Sequence, residues 1–489
     1  MMQTRKNLET TLKLTPNPNL LITAFCLTIL TSLLSFTNTK DLKFVFEMFR
    51  HGARSPLYIN SDLLDIFNQK WLAAGELTNV GMRQHFLLGF RNSEIYGKAL
   101  NISKYTPSEI FITATNYNRT LMSAYAQLQG FFPPGSGSVL SAEQMLRAFP
   151  PIKFDFEPEL KFLANNALKA QSNVFAIKVL NKRDHDFYLN DERVCEGLKP
   201  KMDAARDSAY VNEFVRFFNE NYSEKVYKII NKTHQSFNLN IFENLEILFD
   251  AFICGYTDGR KYAQDFGAQN LSVAEFHRVT KEFLHIEMYN VYISDEYTAL
   301  MSMSPLFTKL LNYMDQRIQK DVNNITIYTN KDPKISMLSG HDTNLAAFMV
   351  FLRAVFQNRT ELIHPEFASS VYLELVKEEE VLTDIPMDKY FVNVMVNDEN
   401  IFNEAMNYTY FSEKIRKRIV KDDEIAKFCK FDNNDDKKSE ASSSLLFVLV
   451  VIASVFAAGL FAWYMVIFFK GKNMIRGNND DSLDTVSDN

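Results

Sequence analysis

Cysteine is scarce in this chain. Four occur in 489 residues, and Cys26 lies in an apolar stretch near the N-terminus. That leaves Cys195, Cys254 and Cys429, an odd number, which in an exported protein implies one bridge plus a free thiol, or none. A Cys195–Cys429 bridge would tie the middle of the chain to its end. No CxxC pair and no Cys/His spacing of a zinc site occurs, so no metal is expected. A basic excess is missing too. The net charge is -6, which removes the positive footprint of a nucleic-acid binder. Repeats and low-complexity tracts are also absent.

What is present is ordinary globular composition, 46% hydrophobic and 23% charged, in a chain long enough for a large core in two lobes. The 42 Phe and 21 Tyr read as core filling. Two charge-free apolar segments bracket the rest. Leu20 to Phe36 follows Arg5, Lys6 and Lys13 and precedes small polar residues. That is the order of a secretory signal within residues 1–39, with an uncleaved signal anchor as the alternative. Leu445 to Phe469 is long enough to span a bilayer, with Trp463 and Tyr464 near its end and Lys470, Lys472 and Arg476 beyond. The expectation is a single-pass type I protein: a lumenal or extracellular body, a stalk at 432–444 and a cytosolic tail at 470–489. N-x-S/T triplets at Asn101, Asn118, Asn221, Asn231, Asn270, Asn324, Asn358 and Asn407 agree with that topology. Glycosylation is least expected at Asn118, which adjoins Arg119.

Between the apolar segments the pattern changes twice. Residues 40–137 alternate strand-like and helix-like pieces. A strand over Lys43 to Phe49 is followed by a helix over Met82 to Phe90 with Thr78 as N-cap. A strand over Glu109 to Thr115 is followed by a helix from Asn118 to Leu128. Residues 138–300 read as a mostly helical insertion, with patterns over Glu213 to Ile230 and Phe242 to Ile253. Alternation resumes in 301–431. Thr326 to Thr329, Lys334 to Leu338, Ser370 to Val376 and Tyr390 to Val396 are strand candidates, the last at an edge, and Leu345 to Val355 is a helix. The fold class expected is α/β with an inserted helical lobe.

Chemistry concentrates at Arg50-His51-Gly52-Ala53-Arg54-Ser55-Pro56, just after the first strand. Hydrolysis of a phosphate ester without a metal needs a nucleophile, positive donors for the phosphoryl oxygens and an acid for the leaving oxygen. His51 can attack phosphorus, and Arg50 and Arg54 can hold its oxygens. Arg119 begins a helix after the second strand, and His341-Asp342 follows a third. Ligands of open α/β sheets bind beyond the carboxyl ends of the strands, so these groups should converge there. Asp342 would be the acid and His341 a phosphate donor.

The chain resembles the histidine acid phosphatases, branch 2 of the histidine phosphatase superfamily. The likeness rests on RHGARSP, the distant His341-Asp342 pair, GELTNVGMRQHFLLG, NRTLMSAYAQLQGFFPP, HPEFASSVYLEL and Val194-Cys195, and it covers about Asp41 to Phe431. It implies a phosphoglycerate-mutase-like sheet domain with helices on both faces and no metal or organic cofactor. It also implies a two-step reaction: His51 attacks phosphorus, Asp342 protonates the leaving alcohol, and water hydrolyses the phosphohistidine. Arg50, Arg54, Arg119 and His341 hold the phosphate. Phosphate monoesters are the implied substrates, and a homodimer a further expectation. The chain departs from the family at Asn118, where an acidic residue is usual, and in having too few cysteines to pair Cys254. The single-pass anchor resembles the lysosomal type, yet residues 470–489 carry no tyrosine sorting signal. The HD pair favours the acid phosphatase and phytase branch. Its rivals are a phytase-like inositol phosphate hydrolase, a lysophospholipid phosphatase and an inactive surface glycoprotein.

Other polar features read as structural. His85 belongs to a helix, Asp184-His185-Asp186 to a solvated turn and Gly135-Ser136-Gly137 to a loop. His234, His277, His285 and His364 have no ligand spacing and receive no role.

Overall fold

The computed structural model describes residues 41–58, 71, 73–180, 194–261, 266–323, 333–357, 362–378 and 385–430. Outside them fall both apolar segments, the stalk and tail, Asp184 to Asp186, the strand expected at Thr326 to Thr329, and the triplets at Asn324 and Asn358. No helix among the described residues is long and apolar enough to cross a membrane. The chain divides into two units, Met1–Cys429 and Lys430–Asn489. The second contributes only Lys430 to the described residues, and every described helix and strand belongs to the first.

A mixed sheet organises the chain. Strand β1 (Leu42–Arg50) is a nearly continuous apolar run, as a strand buried on both faces requires. Strands β2 (Ile110–Thr115), β3 (Lys178–Leu180) and β4 (Ile335–Gly340) join β5 (Ser370–Lys377), β6 (Tyr390–Val396), β7 (Glu399–Asn400) and β8 (Met406–Asn407). The order is β3-β2-β4-β1-β5-β6-β7, and β8 also pairs with β6. Strands β3, β2, β4 and β1 are mutually parallel, whereas β5 pairs antiparallel with β1, and β6 antiparallel with β5. In the parallel half Arg50 lies opposite Gly340, and Ala114 opposite Ser339. Three strands therefore end together at one edge. Among the described residues the two-residue strands β7 and β8 pair along the side of β6 away from β5, so β6, expected at an edge, is not the outermost strand.

Helices α1 (Asn79–Asn92) and α2 (Asn118–Phe131) cover one face. Thr78 caps α1, its Oγ1 accepting from the Gly81 amide at 3.3 Å. The two helices touch backbone to backbone: a Cβ on Gly89 would strike the Gln127 carbonyl, and one on Gly130 the Phe86 carbonyl. Ala124, Leu128 and Phe131 of α2 meet Val45, Phe49, Ile110 and Ile112 of the sheet.

The helical stretch builds a core of its own. It consists of α3 (Ala209–Asn221), α4 (Ser223–Ile230), α5 (Phe242–Thr257) and α6 (Val273–Ile286) around Phe214, Phe218, Phe249 and Phe283. The single helix expected over Glu213 to Ile230 is two, because the Ser223 hydroxyl takes the Asn219 carbonyl at 2.6 Å and the chain turns at Tyr222. Strand β3 interrupts the segment expected to be helical; three residues are too short to show a period. On the second face of the sheet, α7 (Glu296–Asn323) and α8 (Asp342–Phe356) pack Phe307, Phe348 and Phe351 against Phe44, Phe46 and Met48. Cys195 and Cys429 form a disulfide, and Cys254 is free and buried.

Candidate active site

The site forms where β1, β2 and β4 end. From β1 the chain enters Arg50-His51-Gly52, whose amides are already committed. His51 N donates to the Gly340 carbonyl at 3.0 Å, Gly52 N to Ser123 Oγ at 3.1 Å and Ala53 N to Gln84 Oε1 at 2.9 Å. A Cβ on Gly52 would collide with the Gly81 backbone, so only glycine lets the loop lie against α1. The loop is thus fixed from both covering helices before any ligand arrives.

His51 is 2% exposed. Its Nδ1 donates to the Gly52 carbonyl at 2.9 Å, which in a neutral ring leaves Nε2 as the nitrogen with the free lone pair. Burial and the charge of Arg119, with His341, Arg50 and Arg54 adding to it, hold the imidazole well below its usual pKa. It is therefore an uncharged base with its lone pair aimed away from the loop. Its ring makes an edge contact with His341 at 5.5 Å and lies 5.8 Å from Phe367.

Three arginines surround this ring, each tied differently. Arg50 pairs with Asp342 at 2.6 Å, donates to the Pro365 carbonyl at 2.6 Å and stacks 4.2 Å over Phe367. Arg54 pairs with Asp250 at 2.8 Å and also reaches Cys254 Sγ at 3.3 Å. Burial opposes its charge, but Asp250, with Cys254 and Asp342 adding to it, keeps it firmly protonated. Arg119 lies 4.5 Å over the Tyr117 ring and pairs with no carboxylate among the described residues. Burial and the like charge of Arg54 pull it down to about 10, still a cation in neutral water. The Nε of each of the three is buried without a hydrogen-bond partner. Three guanidiniums against two carboxylates leave a net positive charge around the imidazole.

Strand β4 delivers the last pair. His341 precedes α8, its amide donating to Asn344 Oδ1 at 2.8 Å and its Nε2 lying 2.9 Å from Thr115 Oγ1. Burial and Arg119, opposed by Asp342, lower it to about 3. Burial alone would raise Asp342, yet Arg50, helped by His364, His341 and Arg54, holds it at about 2.

All six residues singled out in the sequence, Arg50, His51, Arg54, Arg119, His341 and Asp342, thus sit at one strand edge. Four others there received no role from the sequence. Asp250 neutralises Arg54, Thr115 contacts His341, Phe367 stacks on Arg50, and His364 neighbours Asp342. Thr115 closes β2 and His364 and Phe367 stand in the HPEF run before β5, whereas Asp250 comes from a helix without a motif. Among the described residues no group of His, Cys, Asp and Glu could hold a metal. Chemically the arrangement is a neutral nitrogen nucleophile inside an anion-binding ring of arginines.

Comparison with known proteins is consistent in kind. The lysosomal acid phosphatase of Xenopus laevis is 38% identical over 119 residues, 24% of this chain and 27% of the relative. The prostatic acid phosphatase of Homo sapiens is 43% identical over 102 residues, 20% of this chain and 26% of the relative. The matched segments span about a quarter of those relatives' length. The solved Hafnia alvei phytase in complex with tartrate superposes with a TM-score of 0.49 at 13% identity, covering 78% of this chain and 98% of that one. Residues 41–397 match the family model of the histidine phosphatase superfamily (branch 2), and the chain belongs to that superfamily.

Proposed function

We propose that this chain is an acid phosphatase that hydrolyses phosphate monoesters through a phosphohistidine. The observation that carries the reading is the neutral His51 Nε2 set among three buried guanidiniums, each with an unused Nε–H. Nε2 attacks phosphorus as the ester oxygen departs. Asp342 gives that oxygen a proton, and water then displaces the imidazole, returning the proton to Asp342. Asp342 begins as a carboxylate clasped by Arg50. An arriving phosphate competes for Arg50, which weakens that clasp and lifts the carboxyl toward its protonated form. His341 and Arg119 hold phosphoryl oxygens.

Among the described residues the helical wall near Asp342 and Arg54 brings Asp250, Glu246, Glu287, Tyr289 and Tyr292, not a basic rim. Burial holds Glu246 and Glu287 toward their neutral forms, so this wall offers hydrogen bonds rather than the cluster of cations an inositol polyphosphate calls for, which favours single phosphates. The rest of the proposal is a phosphoglycerate-mutase-like domain of 40–137 and 301–431 with 138–300 inserted, behind a signal sequence, anchored by 445–469 and glycosylated outside the cytosol. The Cys195–Cys429 disulfide suits an oxidising compartment. Among the described triplets Asn407, rather than the Asn118 expected from the sequence, is poorly placed to carry sugar, since its amide donates to the Asp388 carbonyl and caps the following helix. A homodimer is included because Leu146, Ile152, Phe154, Phe162 and Val174 stand exposed together in sequence; sedimentation reads it.

The direct test is an aryl phosphate assay near about pH 5 beside His51→Ala and Asp342→Ala. Expected is strong activity in the wild type, none above background in His51→Ala and a rate loss of about a hundredfold or more in Asp342→Ala. Full activity in His51→Ala would sink the reading.

A further inference from the structure

Behind the site runs a chain of buried polar groups that the reaction never touches. Glu47 is 1% exposed, in the middle of β1 on the face covered by α1 and α2. Its Oε1 accepts from Gln127 Nε2 at 2.8 Å and from the Tyr372 hydroxyl at 3.1 Å. Its Oε2 accepts from the same Gln127 nitrogen at 2.7 Å and from Asn92 Nδ2 at 2.9 Å. Gln127 Oε1 in turn lies 3.1 Å from His85 Nδ1, and His85 Nε2 lies 3.1 Å from the Arg50 carbonyl. That carbonyl belongs to the peptide whose N–H, on His51, is held by Gly340.

The chain is short of a proton as drawn. Gln127 Oε1 and the Arg50 carbonyl are both acceptors, and a neutral imidazole carries one N–H. A cationic His85 would serve both, but it is 0% exposed and burial holds it down to about 4. A glutamine amide fits the same space with its ends exchanged. In that arrangement a protonated Glu47 donates to Gln127 Oε1, Gln127 Nε2 donates to His85 Nδ1, and His85 Nε2 donates to the Arg50 carbonyl. Every member is then satisfied and no charge is buried.

We propose that Glu47, Gln127 and His85 form a proton-linked positioning relay, in which a proton on Glu47 fixes His85 as the donor that pins the Arg50–His51 peptide. When that proton leaves to solvent, the Gln127 NH2 turns to the carboxylate. The imidazole proton moves from Nε2 to Nδ1, and a bare lone pair then faces the Arg50 carbonyl. The inference rests on the phosphohistidine reading and adds a pH dependence separate from that of Asp342. Burial, against hydrogen bonds from Gln127, Asn92 and Tyr372 and the charge of Arg91, lifts Glu47 to about 7. The pin is therefore present below about 7 and lost as pH rises through it. Of the other groups facing the relay, Arg91 is paired with Asp398, and Tyr372 and Tyr96 are pushed well above their usual range by burial and stay neutral. Glu374 accepts from Tyr96. Strand β4 brings no ionisable side chain, α1 brings Arg83 besides His85 and Arg91, and α2 brings only Arg119 and Tyr125. On the far face α8 brings Asp342 and Arg353.

The experiment follows kcat/KM for an aryl phosphate from about pH 4 to about pH 9 in wild type, Glu47→Gln and His85→Gln. Glutamine at 47 stays neutral and imitates the protonated carboxyl; glutamine at 85 keeps a donor for the Arg50 carbonyl and has no tautomer to change. The wild type is expected to lose about fivefold, one hydrogen bond's worth, with a midpoint near 7. Both variants should lack that limb. Limbs that coincide with the wild type, or a loss equal at every pH, overturn the relay. A wild type no more active than His51→Ala fails the underlying reading instead. Infrared spectra of the folded wild type supply a check free of activity: a protonated buried-carboxyl band that fades through about pH 7 and is missing in Glu47→Gln is expected, and its absence overturns the proposal.

Discussion

At the scale of single residues, the site's arginines differ in what they leave behind when removed. Arg54 neutralises Asp250 in a buried pair, so Arg54→Ala strands a carboxylate and should cost about 3–5 kcal/mol of stability. Arg119 has no carboxylate partner among the described residues and is crowded by Arg54. Arg119→Ala should therefore leave thermal stability unchanged or higher while kcat/KM falls at least about tenfold, the worth of a charged hydrogen bond. Unfolding curves and kinetics on the two variants check the contrast, and equal destabilisation would contradict it. Sequence alone made Arg54 and Arg119 look equivalent. Asp250 separates them, and it comes from a helix whose pattern advertises only apolar packing. Glu47 was equally illegible: within an apolar strand it looks like one polar residue, and only the fold brings Asn92, Gln127 and Tyr372 around it.

At the scale of elements, the strand ends were readable because they carry polar motifs on apolar runs. Arg50 and His51 close β1, Arg119 follows β2, and His341 follows β4, so three motifs mark one edge. The parallel direction of those strands was implied by the helices between them. Not readable were β3, too short for a period, and the break at Tyr222, made by the Ser223 hydroxyl. The α1–α2 contact is also tertiary in origin. It holds Ser123, Gln84 and His85 against the Arg50–Ala53 loop, so loosening it should reach the candidate site. Gly130→Val puts a branched side chain on the Phe86 carbonyl, in a helix backbone that cannot retreat. We expect a loss of about 1–3 kcal/mol in denaturant unfolding, with kcat reduced. A variant as stable as wild type would contradict the close approach.

At the scale of the whole molecule, one sheet edge collects the proposed nucleophile, its ring of arginines and the proposed acid from segments almost 300 residues apart, between His51 and Asp342. A disulfide from Cys195 to Cys429 ties the helical stretch to the helix Asp422–Cys429. The proposed reaction turns on a phosphorus bond to one nitrogen. That bond can be read from the intact mass of the protein after rapid quenching of turnover, with the bound group then located by fragmentation under conditions that spare acid-labile phosphate. One added phosphoryl group is expected on His51, formed in wild type, persisting longer in Asp342→Ala if water attack needs that carboxylate, and missing in His51→Ala. Turnover with no added mass at His51, or phosphate on any other residue, would contradict it.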